Sequence, residues 1–336
     1  MLSKPEREQI IALIKREVVP AIGCTEPIAV ALCVAKAREI LGTEPEKVSA
    51  RLSANILKNA MGVGIPGTGM IGLPIAIALG ALVGRSEYQL EVLKDSDAKA
   101  VERGKRFIEQ GRIDISLKEG ITEKLYIEIE VSGGGHSAVA IIAGGHTNFV
   151  FISRDGETLQ ESRRTSGSEQ EAQGVFAMTT PLDEIRFILE AKRLNKAAAE
   201  DSFKNNYGHC VGNTLRHAPE LRIIGDCALS RILSYTCAAC DARMAGAMVP
   251  VMSNSGSGNQ GIATTLPVVV YAEEIKADEE HLVRALVLSH LTAIYIKQSL
   301  GRLSALCGCV VAATGSSCGI TYLMGGGYEA VSFAVK

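Results

Sequence analysis

The sequence has almost no net charge, no long hydrophobic run and an odd number of cysteines. Its 35 Lys and Arg residues nearly balance its 37 Asp and Glu residues, which gives a net charge of -2. The chain therefore offers neither a basic surface for nucleic acid nor a polybasic patch for a membrane. Its longest apolar run, from Ile71 to Val83, is too short to cross about 30 Å of hydrocarbon. A small molecule is the expected partner.

The cysteines are expected to be reduced. Nine of them in a chain of 336 residues, whose first residues are too charged for a secretory signal, do not indicate a disulfide framework. We expect a cytoplasmic protein of about two domains. Each thiol is then structural, catalytic or metal-bound, and most single buried cysteines behave as small hydrophobic residues.

The spacing of apolar residues predicts an α+β fold. A period near 3.6 predicts helices at 6–18, 28–41, 70–83, 96–109, 180–205, 226–248 and 281–300. Alternation predicts strands at 48–57, 112–117, 125–131, 136–142 and 148–152, which would form an antiparallel sheet. We expect a mostly helical domain from residues 1–45 plus 156–336, with an inserted α+β domain at 46–155.

The segment Gly23-Cys24-Thr25-Glu26-Pro27 precedes a helix that is apolar on every face. A Thr that can cap, an acid and a Pro in the first turn are typical of a helix start. The partial positive charge of that helix end favours a thiolate, so Cys24 is a candidate base, nucleophile or metal ligand. A small residue that merely leads into a buried helix is the alternative, and both interpretations stay open.

Two further segments could bind an anion. The glycine-rich stretch from Gly62 to Gly72 precedes a predicted helix, and Gly67 and Thr68 are candidates for a carboxylate-binding edge; a tight packing turn is equally consistent with it. A P-loop is not indicated, because no Lys-Ser or Lys-Thr pair follows. A second segment holds hydroxyls, amides and glycines between apolar helices and could wrap an amino acid's carboxylate: Ser253, Asn254, Ser255, Gly256, Ser257, Gly258, Asn259, Gln260 and Gly261.

Other cysteine and histidine patterns have less chemical content. Cys237 and Cys240 are three residues apart on a predicted helix, where small-residue packing is favoured over redox or zinc chemistry. His290 falls on the apolar face of the helix at 281–300, as a core histidine would. The stretch from Leu303 to Gly327 combines three cysteines, Cys307, Cys309 and Cys318, with glycines and almost no charge, as one wall of a site would.

Taken together, four motifs resemble the L-cysteine desulfidase family, which is related to the α chain of iron–sulfur L-serine dehydratases. They are Gly-Cys-Thr-Glu-Pro at 23–27, Gly-Ile-Pro-Gly-Thr-Gly-Met at 64–70, Ser-Asn-Ser-Gly-Ser-Gly-Asn-Gln-Gly at 253–261, and the stretch around Cys307. The resemblance covers essentially the whole chain. It implies a lyase of amino-acid catabolism that carries a four-iron four-sulfur cluster and needs no pyridoxal phosphate.

The resemblance also implies roles for individual residues. Cys24 matches the cysteine thought to act as base at Cα, with Thr25 and Glu26 beside it in a substrate-binding motif. The loop at 253–261 corresponds to the family's substrate-binding loop, and Cys307 best matches the first cluster ligand, with Cys309 or Cys318 as alternatives. The resemblance implies conversion of L-cysteine to pyruvate, ammonia and sulfide. Such an elimination needs a base at Cα and a Lewis acid for the developing charge.

One departure from the family pattern concerns the cluster. In the family the chain continues past the Cys307 motif to two further cluster cysteines, whereas this sequence ends at Lys336. We therefore expect the cluster to be absent or incomplete in this form, which would leave it inactive. The alternatives are an L-serine or related amino-acid dehydratase on the same machinery, and a non-catalytic protein that binds a small amino acid. A homodimer is left open.

Overall fold

A computed structural model describes residues 2–121, 123–161, 173–217, 225–300 and 308–335. The chain divides into two compact units. The first contains residues 1–20, 167–243 and 249–336, and the second contains residues 21–166 and 244–248. Within the described residues, no helix is both long enough and apolar enough to cross a membrane.

Fourteen α-helices and eight strands are assigned within the described ranges. The helices are α1 (Lys4–Glu17), α2 (Thr25–Leu41), α3 (Ala54–Ala60), α4 (Leu73–Leu82), α5 (Ala98–Glu109), α6 (Gln173–Thr179), α7 (Leu182–Ile185), α8 (Leu189–Asn205), α9 (Val211–Arg216), α10 (Ala228–Met244), α11 (Gly258–Glu274), α12 (Glu279–Leu300), α13 (Gly308–Leu323) and α14 (Tyr328–Val335). The strands are β1 (Pro20–Ile22), β2 (Lys47–Leu52), β3 (Ile113–Leu117), β4 (Tyr126–Gly133), β5 (His136–Ala143), β6 (Phe149–Arg154), β7 (Glu157–Glu161) and β8 (Pro250–Met252). Two 3₁₀ helices cover Ser86–Glu91 and Arg186–Ile188.

The second unit is built on a six-stranded sheet with the order β3-β2-β4-β5-β6-β7. The predicted α+β class is confirmed, but the sheet is mixed rather than antiparallel, because β2 and β3 run parallel with Val48 opposite Ile113. The connection between them is long enough for this arrangement, since it carries three α-helices and a 3₁₀ helix. The remaining neighbours are antiparallel, as predicted for the meander.

Helices α2 and α4 form the apolar layer on this sheet. Helix α2 packs against β4 and β5, and nearly all of its residues are buried, as its uniform apolar sequence predicts. The two helices approach closely at Gly80, where an added Cβ would lie 2.6 Å from the Ala31 carbonyl oxygen. The predicted boundary near residue 45 differs from the observed division, because α2 packs on the sheet and so belongs to the α+β unit.

The first unit is helical. Helices α11, α12 and α13 pack on one another, and α8 packs on α11 and β8. Helices α12 and α13 meet closely at Gly315, where a Cβ would lie 2.5 Å from the Ser289 carbonyl oxygen. The continuous helix predicted over 180–205 is broken into α7, a 3₁₀ turn and α8. Likewise, the strand predicted over 48–57 ends at Leu52, because Ser53 starts α3.

Candidate functional site

The turn ahead of α2 fixes the position of Cys24. Cys24 is the N-cap residue of α2, with extended backbone angles, and its side chain is buried. The preceding Gly23 has a φ of 74°, and a Cβ at this position would overlap Pro66 Cγ. Two of the predicted motifs, at 23–27 and 64–70, are thus in contact within the second unit. The sulfur lies at the positive end of a 17-residue helix.

A carboxylate lies beside this thiol. Cys24 Sγ donates a hydrogen bond to Glu26 Oε2 at 3.2 Å, and the Thr25 hydroxyl donates to the same oxygen at 3.4 Å. Asn59 Nδ2 donates to the other oxygen, Oε1, at 3.3 Å. The structure therefore joins three predicted site residues and adds Asn59. Asn59, which lies three residues before Gly62, was not among the residues predicted from sequence.

The glycine-rich stretch forms a tight turn. The Thr68 hydroxyl donates to the Ile65 carbonyl at 2.8 Å and accepts from the Met70 amide at 2.9 Å. The Gly67 amide donates to the Gly246 carbonyl at 3.2 Å, within the same unit. The Gly67 amide and the Thr68 hydroxyl are thus already hydrogen-bonded within the second unit. This geometry favours the packing turn over the carboxylate-binding edge.

In the first unit, the segment predicted as a loop at 253–261 is ordered around Asn254. Its last four residues, 258–261, form the first turn of α11 rather than a loop. Asn254 is fully buried; its Nδ2 donates to the His290 carbonyl at 3.2 Å and to His290 Nδ1 at 3.0 Å. Its Oδ1 accepts from the Ser255 hydroxyl at 2.9 Å and from Gln260 Nε2 at 2.8 Å. One amide therefore ties three parts of the loop to α12.

His290 is a core histidine, as its place on the apolar face predicts. Burial lowers the pKa of His290 to about 3, so the ring is neutral. Because Nδ1 accepts from Asn254, the proton is on Nε2, which lies 3.1 Å from the Thr265 hydroxyl. That hydroxyl donates to the Gly261 carbonyl at 2.6 Å. Both ring nitrogens are used, which supports the loop and leaves neither for a metal.

The loop backbone is shaped by a reversal and by close packing. Asn254 and Ser257 exchange backbone hydrogen bonds, and the residues between them, Ser255 and Gly256, have φ values of 49° and 78°. Positive φ at both central positions is typical of a type I′ turn. At Gly258 a Cβ would overlap the Arg243 side chain.

Two more contacts anchor the loop within the first unit. The Ser253 amide and hydroxyl both donate to the Val19 carbonyl, at 2.9 and 2.7 Å. Asn259 Oδ1 accepts from Arg243 Nη1 at 2.9 Å. Most of the polar side chains predicted to bind substrate are therefore hydrogen-bonded inside the loop. Their described role is to hold its shape.

Of the three cysteines predicted to bind a cluster, only Cys318 has its side chain among the described residues. Cys307 and the side chain of Cys309 lie outside the described residues. Cys318 is fully buried in the apolar core of the first unit, and burial raises the pKa of its thiol. Burial also raises the pKa of Cys240 to about 12, which agrees with a packing role for the Cys237 and Cys240 pair. Across the described ranges, no three His, Cys, Asp or Glu side chains are grouped as a metal site requires.

Comparison with known proteins gives one family. A family model described as "Serine dehydratase alpha chain" matches residues 87–336. The chain is 68% identical to a UPF0597 protein of Bacteroides fragilis and 69% identical to one of Phocaeicola vulgatus, each over all of this chain. It is 46% identical to a UPF0597 protein of Oleidesulfovibrio alaskensis over 99% of its length. In each case it covers 80% of the relative.

Proposed function

Because this chain belongs to the serine dehydratase alpha chain family, we propose that it is a lyase that converts L-cysteine to pyruvate, ammonia and sulfide. The observation that carries the proposal is the thiol of Cys24, the residue at the N-cap position of α2, which donates to the Glu26 carboxylate at 3.2 Å. A thiol with a hydrogen-bonded proton acceptor is suited to proton abstraction. L-Serine is the second candidate substrate, favoured by the description of the matching family model.

The proposed reaction begins with removal of the Cα proton. This proton is weakly acidic, so a positioned base is required. In our proposal Cys24 Sγ takes the Cα proton while its own proton passes to Glu26 Oε2. The electron pair left at Cα forms the Cα–Cβ double bond as the Cβ–S bond breaks and sulfide leaves. The resulting aminoacrylate takes up water and gives pyruvate and ammonia.

Two further residue groups have supporting roles in the proposal. Asn59, which donates to Glu26 Oε1, holds the carboxylate with its other oxygen toward the sulfur. The loop at 253–261 binds the substrate and supplies orientation rather than chemistry. Its internal hydrogen bonds, centred on Asn254, support this proposed role, because they hold the loop in one shape.

The family is typically iron–sulfur dependent, and a four-iron four-sulfur cluster is the expected cofactor. The described residues by themselves do not fit such a cluster: Cys318 lies among apolar side chains, and these ranges bring together no set of three ligands. Cys307 stays the proposed ligand and lies outside them. The roles assigned to Cys24 and Glu26 are therefore derived without the cluster.

The test is anaerobic reconstitution of the chain with iron and sulfide, followed by assays of pyruvate and sulfide release. In protein that takes up iron, we expect pyruvate from L-cysteine with equimolar sulfide, and less from L-serine. Protein that takes up no iron should form no pyruvate. Pyruvate from L-serine alone would replace the desulfidase with a dehydratase. Binding of either amino acid without pyruvate, in protein that holds iron, would overturn the lyase and point to a binding protein.

Variants separate the proposed roles. Cys24→Ala should abolish turnover, and Glu26→Gln should lower kcat by about 10²-fold or more with a smaller change in KM. Asn59→Ala should have a smaller effect on kcat, because it removes only one hydrogen bond to Glu26. Full activity in Cys24→Ala would remove this residue from the base role.

A further inference from the structure

One buried polar atom of the segment at 253–261 makes no hydrogen bond within the described residues. Gln260 is 1% exposed, and its Nε2 donates to Asn254 Oδ1 at 2.8 Å. Its Oε1 is buried and has no hydrogen-bond partner among the described residues. A buried acceptor left without a donor costs about 1–3 kcal/mol in protein stability, so such an atom is usually explained by a ligand or water.

The hydrogen-bond network fixes which atom of the Gln260 amide is left over. The His290 carbonyl can only accept, so the Asn254 atom that faces it at 3.2 Å is the nitrogen. The other Asn254 atom is then the oxygen, and the Gln260 atom facing it must be the nitrogen. The remaining atom of the Gln260 side-chain amide, which is buried, is consequently an oxygen, which accepts but cannot donate.

This oxygen lies between two helix starts. It faces Gly308, the first residue of α13: a Cβ on Gly308 would lie 3.4 Å from Gln260 Oε1 and 3.8 Å from Ser257 Oγ. Ser257 is the N-cap of α11, and its hydroxyl accepts a hydrogen bond from the backbone amide of Gln260. Both helices exceed fifteen residues, so their starts favour negative charge.

Arg243 adds positive charge at the first turn of α11, beside Gly258 and Asn259. It is buried, and its Nη1 donates to Asn259 Oδ1 in the first turn of α11. An acceptor oxygen therefore stands beside a region that attracts anions. A ligand that donates an N–H to Gln260 Oε1 and presents a carboxylate to the helix starts would match both features.

We propose that Gln260 Oε1 accepts a hydrogen bond from the α-ammonium group of the substrate, whose carboxylate faces the starts of α11 and α13. The inference rests on the proposed function in one respect, that the loop at 253–261 binds an amino acid. It assigns Gln260 as the residue that distinguishes α-amino acids from carboxylic acids without an amino group.

The experiment measures binding of L-alanine and propanoate to the full chain by calorimetry. These ligands differ only in the ammonium group, and neither has a β-leaving group. The wild-type protein should bind L-alanine about tenfold or more tightly than propanoate, as one charge-assisted hydrogen bond implies. In Gln260→Met, which has no acceptor, the two affinities should agree within about threefold.

Ser255→Ala is the matched control. It removes the other donor to Asn254 Oδ1, and so disturbs the same network while leaving Gln260 Oε1 in place. The preference for L-alanine should persist in this variant even if both affinities fall. If Gln260→Met does not fold, Gln260→Leu, which also lacks the acceptor, takes its place, and the two affinities should again agree within about threefold.

The inference is overturned if Gln260→Met keeps the wild-type ratio, if Ser255→Ala loses it, or if the wild-type protein shows no preference or binds neither ligand. These outcomes are distinct from failure of the lyase proposal. The expected ratios without pyruvate formation would remove the lyase and leave the Gln260 role intact. Pyruvate formation with an unchanged ratio in Gln260→Met would do the reverse.

Discussion

At the scale of single residues, Cys24 is subject to two opposing electrostatic effects. The start of α2 favours its thiolate, whereas the Glu26 carboxylate at 3.2 Å disfavours a second negative charge and accepts the thiol proton. A relay in which the sulfur gains one proton as it loses another avoids two adjacent anions. The pair is therefore better suited to proton transfer than to a persistent thiolate.

The buried His290 makes the stability of the protein depend on pH. Its pKa is about 3 in the folded protein and near 6.5 when unfolded, so the unfolded state binds the extra proton. Its contribution to stability is complete above pH 6.5 and is lost as the pH falls toward 3, by up to about 1.4 kcal/mol per pH unit.

Urea unfolding at pH 7, 6 and 5 should show this loss in wild-type protein. His281→Gln on the same helix is the control, because His281 is exposed and should leave the slope nearly unchanged. By NMR, the His290 ring should stay neutral down to pH 5. A ring that titrates near pH 6.5 in the folded protein would contradict the prediction.

Asn254 is expected to be the most sensitive residue of the loop. Asn254→Ala would leave the buried His290 carbonyl, Ser255 hydroxyl and Gln260 amide without this partner. We expect a loss of about 2–4 kcal/mol in the free energy of unfolding by urea. The control is Asn205→Ala on α8, whose exposed side chain bonds only within its helix and should change stability by under about 0.5 kcal/mol. Equal losses in both variants would contradict the prediction.

At the scale of elements, helix starts carry both parts of the proposed chemistry. Helix α2 presents Cys24, and helices α11 and α13 begin beside Gln260. Thr25 and Pro27 predict the start of α2, whereas the start of α11 at Gly258, capped by Ser257, is known only from the structure. Each start contains a glycine with no room for a Cβ: Gly23 lies against Pro66 and Gly258 against Arg243. The sequence does not identify these neighbours.

Gly23 provides a test of how tightly α2 is placed. Gly23→Ala combines a left-handed backbone with overlap against Pro66, whereas Gly42→Ala at the other end of α2 has a similar φ of 86° and open space. We expect a loss of about 1–2 kcal/mol at Gly42 and about 2–4 kcal/mol at Gly23 in urea unfolding. A smaller loss at Gly23 than at Gly42 would show that the Pro66 contact does not constrain the turn.

At the scale of the whole molecule, folding gives the cysteines different environments. Cys227 is exposed, and hydrogen bonds from the Ser230 and Leu229 amides lower its pKa. Cys33 lies under the sheet and Cys318 in the helical core, and burial raises the pKa of both thiols. The sequence presents nine similar side chains, which only the tertiary structure separates.

Iodoacetamide labelling read by mass spectrometry should follow this order. At pH 7.5 we expect Cys227 to react at least about 100-fold faster than Cys33 and Cys318, because the reactive species is an accessible thiolate. In urea the difference should disappear. Rapid labelling of Cys318 in the native protein would show that it lies outside the apolar core.

Local sequence by itself predicted most of the long helices, the α+β class and the family motifs, because apolar periodicity, capping residues and glycine turns act over a few positions. It also predicted that Cys24 lies just ahead of the start of a buried helix. It did not predict α11 or α13. The tertiary structure alone decided which residues each motif contacts. The parallel pair of β2 and β3, the place of α2 on the sheet, the Asn59 contact to Glu26 and the buried acceptor oxygen of Gln260 depend on residues far apart in sequence. Periodicity reports which face of an element is buried, but not the partner against which it is buried.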